Sequence, residues 1–222
     1  MERKQLVNGE PIPYYDAPLP ELEDMLRDKE MQRYCLACEA LSWRTDEESF
    51  RLLAEQLDVA DRWRRLYAFR VIYRNPHAAG LAAHAVRQLL SDDPSFVLAA
   101  LEIIEEHGLP CPEAAMKAAV AEHYALLHDQ GKLLFRLEAT GENYRYLTEL
   151  FHREGPCLRQ EIVADILLDH YEDSRPEELY ALLAGSRYAR QRVKAAQLAK
   201  RRGLDPTALR EDPDGHVRKA CR

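Results

Sequence analysis

No run in this 222-residue chain approaches the ~18 consecutive apolar residues that a membrane-spanning helix needs. The opening MERKQLVNGEPIPYYD also lacks the apolar centre of a secretory leader, so the expected location is the cytoplasm. The five cysteines, Cys35, Cys38, Cys111, Cys157 and Cys221, are odd in number and have no framework spacing, which excludes a disulfide-stapled fold and predicts reduced thiols. There is no phosphate-binding loop, dinucleotide fingerprint or nucleophile elbow. Cys35 and Cys38 have no second Cys or His pair at zinc spacing. His123 and His128 stand five apart on a helix and turn away from each other, and Glu122-His123 lacks the second histidine of a metalloprotease motif. Adjacent acids such as Glu105 and Glu106 point apart on a helix and cannot act as a general acid/base pair. These absences predict a protein that is not an enzyme and that binds neither metal nor cofactor. Strand patterning is missing too, apart from a short extended piece near Leu6.

What is present is helical punctuation in a composition that is 46% hydrophobic and 31% charged. Asn8-Gly9, Pro11, Pro13, Pro18 and Pro20 deny the first twenty residues a continuous helix, so residues 1–20 read as an arm or cap. Pro20 then starts a helix running to about Lys29, and a second covers about Met31 to Leu41. Thr45 with Glu48 predicts a capping box for a third. Asp61 to Tyr73 is the next. Asn75-Pro76 opens one to Leu90, and Asp93-Pro94 caps another that Gly108 ends. Cys111-Pro112 begins a helix to about His128 that Gly131 breaks. Segments follow at about Lys132 to Ala139, Asn143 to Glu154 and Pro156 to Tyr171. Ser174 with Glu177 predicts a second capping box, for a helix closed by Gly185, then Arg187 to Arg202 and a last segment from His216 to Arg222 after Asp212-Pro213-Asp214-Gly215.

One pattern returns at a fixed interval. Ala37, Ala68 and Ala99 are 31 residues apart, as are Leu41, Ile72 and Ile103, and Leu36, Tyr67 and Leu98. Small alanines would let adjacent helices approach closely while the larger residues one turn on fill the space between them. The helix from Asp61 to Tyr73 carries apolar residues around most of its circumference, so neighbours should cover it on more than one side.

Arg192-Val193-Lys194-Ala195-Ala196 and His216-Val217-Arg218-Lys219-Ala220 share a local pattern. The second follows Asp212-Pro213 as Val97-Leu98-Ala99-Ala100 follows Asp93-Pro94. A leucine, an Asp-Pro turn, then Val-Arg/Lys and a small residue resembles the junction of a HEAT repeat, in the short class of the phycobilisome-lyase type, which the 31-residue period fits. The resemblance covers Arg33 to Gly108 and Leu179 to Arg222. It implies an all-α, right-handed α-solenoid of stacked helix pairs: one array over 21–222, regular at 31–108, irregular at 111–171 and HEAT-like again at 174–222. Proteins similar to these arrays are mostly scaffolds that hold other proteins along a curved helical surface, without catalysis. The alternative it implies is a nucleic-acid-binding HEAT-like protein related to the alkylpurine DNA glycosylases, although Trp43 and Trp63 do not reproduce that family's catalytic Asp and Trp arrangement and the sequence pI of about 5.7 is unfavourable.

Two surfaces stand out as candidates for binding a partner. Trp63, Tyr67, Arg70 and Arg74 share one helical face and could stack on bases or grip anions, although Tyr67 lies in an otherwise apolar register that points to core packing. From Ser186 onward there are 11 Lys and Arg against 4 Asp and Glu, a balance of +7 in a chain of net charge −7. Arg187, Arg190, Arg192, Lys194, Arg201, Arg202, Arg218 and Lys219 could meet phosphates. The same excess would equally serve a basic end packed on an acidic neighbour. A protein partner is expected first, nucleic acid second, and no membrane.

Overall fold

A computed structural model describes residues 6–7, 10–123, 133–153, 155 and 157–222. The described residues form helices joined by turns, with one short antiparallel ladder pairing β1 (Leu6–Val7) with β2 (Glu10–Pro11). It divides into two compact units, Met1–His123 and Tyr124–Arg222. The expectations placed on Asn8-Gly9, on the helix end at His128, on Gly131 and Lys132, and on Glu154 and Pro156 lie outside the described residues.

In the first unit, α1 (Leu19–Arg27) begins with Pro20 and Glu21 in its first turn, where a missing N–H costs nothing and the helix dipole favours an acid. α2 spans Met31–Trp43. α3 (Glu47–Glu55) corrects the expected capping box: the cap is Asp46, whose carboxylate accepts from the Ser49 N–H and the Ser49 hydroxyl, both at 2.8 Å. A charged acceptor satisfying two donors outcompetes Thr45 one residue earlier. α4 (Arg62–Ile72) is capped by Asp61. Asn75 caps the next element as expected, but that element starts as a 3-10 turn, Pro76–Leu81, before α5 (Ala82–Gln88). Gly80 within that turn has the weakest helical preference of any residue but proline. α6 (Pro94–Glu106) is capped by Asp93 and closed at Gly108, whose φ of +59° lets the Leu109 N–H return to the Ile104 carbonyl at 3.0 Å. α7 covers Glu113–Glu122.

Packing follows the sequence period. α1 lies on α2, α5 on α6, and α3 against both α2 and α4, while α2 packs on α4 and α4 on α6. Ala37, Ala68 and Ala99 are fully buried, Leu41 and Ile72 likewise, and Ile103 nearly so. Leu36, Tyr67 and Leu98 are half-buried in all three helices. Polar bonds also join neighbouring pairs: the buried Asn75 amide donates to the carbonyls of Leu41 (3.2 Å) and Arg44 (2.8 Å), and the Tyr34 hydroxyl donates to the Arg64 carbonyl (3.0 Å). Arg44 also donates to the Tyr15 carbonyl at 2.8 Å and to that of Ala17, fixing the arm against the end of α2.

The second unit contains α8 (Gly141–His152), α9 (Cys157–Tyr171), α10 (Pro176–Ala184), α11 (Ala189–Arg202), α12 (Thr207–Arg210) and α13 (Gly215–Ala220). α8 starts earlier than expected because the Thr140 hydroxyl accepts the Asn143 N–H at 3.1 Å. The second expected capping box does not form: α10 has no side-chain cap, and the Ser174 hydroxyl turns back to the Tyr171 carbonyl at 3.5 Å. Gly203 ends α11 in a left-handed conformation, φ +68°. α8 pairs with α9, α10 with α11 and α12 with α13, while α11 touches both α9 and α13.

Candidate functional site

The α4 stripe is built into the α2/α4/α6 packing. The Tyr67 hydroxyl donates to the Glu39 carboxylate at 2.9 Å, and Arg74 reaches its other oxygen at 2.5 Å. Arg70 approaches Glu102 at 3.4 Å. Trp63 differs, being 62% exposed. The Arg62 guanidinium lies over its indole, 4.2 Å from the ring centre, and is itself held by Asp93 at 2.8 Å and by Ser95 at 3.0 Å. That bidentate partner holds the Asp93 carboxyl at about 2, well below its ordinary value. The result is a Trp-Arg stack at the beginning of α4.

The basic segment meets the acidic face of α9. Arg190 bonds Glu161 (3.0 Å), Lys194 pairs with Asp165, Arg201 grips Glu172 through two bonds (2.7 and 2.9 Å), and Arg202 reaches both Glu172 (3.1 Å) and Asp173. Four of these contacts, Glu161 to Arg190, Asp165 to Lys194, Glu172 to Arg201 and Asp173 to Arg202, share one separation of 29 residues. They form a ladder of ion pairs from α9 and the turn after it to α11, and the two arginines lower the Glu172 pKa. Arg192 makes a separate bidentate pair with the buried Asp212 (2.6 and 3.1 Å), which lies in the turn before α13. Arg218 donates to the Asp212 and Pro213 carbonyls, and Arg187 donates to the Gly155 carbonyl at 3.2 Å while stacking on Tyr188. Lys219 is exposed and has no charged partner among the described residues.

The expected site residues therefore fall into two groups. Trp63, Arg70 and Arg74 belong to the first unit, and Arg187, Arg190, Arg192, Lys194, Arg201, Arg202, Arg218 and Lys219 to the second. Most of the cations are already complemented within the chain. Reading the sequence by cation clusters overlooked Glu161, Asp165, Glu172 and Asp173. The signal that reveals them is recurrence of opposite charge at a fixed separation.

Burial pushes the Cys38 thiol up to about 12, and it also raises that of Cys35, so neither has the thiolate character of a reactive cysteine. Among the described residues no group of three or more His, Cys, Asp or Glu is placed to hold a metal ion, and no helix is long and apolar enough to cross a membrane. Comparison with protein-family models, with curated proteins and with solved structures returned no match.

Proposed function

We propose that each unit is a HEAT-like stack of helix pairs and that the protein is a non-enzymatic interaction scaffold. One observation carries this reading. The second helices of three successive pairs, α2, α4 and α6, lie against one another, and their buried positions recur at the 31-residue interval of the sequence. Such an arrangement presents side chains from successive helices along one surface, on which a helix or tail of another protein can lie. Trp63 is the anchor on that surface: a large exposed aromatic on which Arg62, paired with Asp93, stacks.

Quantitative affinity capture from the cells that make the protein tests this. The expected result is a stoichiometric protein partner retained by wild type and lost by Trp63→Asp, with the melting temperature of the variant unchanged. Steeply salt-dependent binding of duplex DNA, with no protein partner, would overturn the reading in favour of the nucleic-acid alternative.

A further inference from the structure

The geometry points to a site for a small organic oxyanion in the second unit, at a place that carries neither the ion ladder nor Trp63. A cavity of about 540 Å³ opens between the last turns of α8 and α10 and the beginning of α9. His152, Arg153, Gln160, Gly185, Ser186 and Arg187 line it, with the side of Phe151 and two residues of α10 completing the wall. The described part of this lining includes Arg187 and His152 and no Asp or Glu, in a chain whose net charge is −7.

The floor is pre-organised. Ser186, buried at 7% exposure, donates its hydroxyl to Gln160 Oε1 at 2.9 Å and accepts the Tyr188 N–H at 3.2 Å. Gln160 passes the chain on by donating to the Phe151 carbonyl at 2.8 Å. Two helix C-termini border the cavity, and exposed carbonyls there would repel an anion. Five of the carbonyls there are engaged. Glu149 and Leu150 accept from the Arg153 N–H, Phe151 from Gln160, Ala181 from the Gly185 N–H and Leu183 from the Ser186 N–H.

Arg187 is tethered at the rim by its bond to the Gly155 carbonyl, which uses one of the five N–H donors a guanidinium carries. A planar fork with donors in reserve matches the oxygens of a phosphate or a carboxylate. The volume lies within the ~300 to 1,000 Å³ of small-molecule sites, several times what one such group occupies, so the ligand carries its charge on a small organic body.

Calorimetric titration of the full chain with glucose 6-phosphate, citrate, inorganic phosphate and glucose tests the assignment. Glucose 6-phosphate or citrate should bind with a Kd of about 1 mM or tighter, identifying phosphate or carboxylate as the preferred group, and glucose should not bind. Arg187→Glu should weaken that binding about tenfold or more, whereas Lys200→Glu, the same charge change at an exposed position of α11 outside the cavity, should leave it intact. Should Arg187→Glu fail to fold by circular dichroism, the His152 ring resonances of the wild type replace it, and they should move on titration. The assignment is overturned if no charged probe binds at about 10 mM, if glucose binds equally well, if Lys200→Glu weakens binding as much as Arg187→Glu, or if the His152 signals stay still.

Discussion

Gln191 is the residue whose surroundings fit it least. It is fully buried on α11, in the stripe that continues through Ala195 and Leu198, and neither its amide oxygen nor its amide nitrogen has a hydrogen-bond partner among the described residues. A buried polar group left unsatisfied costs about 1 to 3 kcal/mol. Gln191→Leu keeps most of the volume and removes that cost, so the variant should be more stable by roughly 1 to 3 kcal/mol in urea denaturation. An unchanged or lower midpoint would show that the amide is satisfied in solution. At this scale the sequence was readable where a single side chain settles the matter. Asn75 and Asp93 cap the elements expected of them. It misled where two neighbours competed, as at Thr45 and Asp46, or where a serine had a nearer acceptor, as at Ser174.

Among the elements, α4 is packed by three others, α2, α3 and α6. Ala68 faces that crowding with no exposed surface. Ala68→Leu should therefore overpack and lower stability by roughly 1 to 3 kcal/mol, and a thermal melt matching wild type would sink the inferred register. The period of 31 is legible in the sequence because identical small and apolar residues recur. The ladder from α9 and its following turn to α11 could not be found that way, because its partners are unlike: an acid answers a base at a separation of 29. Ion pairs this exposed contribute about 0 to 1 kcal/mol each, so the ladder sets which faces meet more than how stable they are. Arg201→Glu with Arg202→Glu would set four carboxylates together and should destabilise by roughly 1 to 2 kcal/mol. Adding Glu172→Arg and Asp173→Arg should restore most of the loss, and a four-fold variant no more stable than the double one would deny the pairing.

For the whole molecule, segregated charge was the loudest signal in the sequence and the hardest to interpret. An excess of +7 from Ser186 onward fits a foreign anion as well as an internal one, because charge carries no address. The three-dimensional arrangement supplies the address for most of it, on the acids of α9 and of the turn after it. The cavity beside Arg187 had no sequence signature at all, since its lining comes from three helix ends that only folding brings together. The internal pairing makes both units sensitive to acid. Arg62 holds the Asp93 carboxyl at about 2 in the first unit, against 3.8 when unfolded. In the second, Arg192 lowers Asp212, and Arg201 with Arg202 lowers Glu172. A carboxyl whose folded pKa lies below its unfolded value binds fewer protons when folded, so its stabilisation is complete above the unfolded value and disappears as the pH falls through the folded one. The melting temperature should then be flat above about pH 5 and fall steadily toward pH 2. Asp93→Asn should begin from a lower plateau and lose less on acidification, because it has already lost the bond whose protonation the acid limb reports. Calorimetry of the two proteins over that range checks this, and parallel curves would show that Arg62 and Asp93 contribute nothing to the acid response.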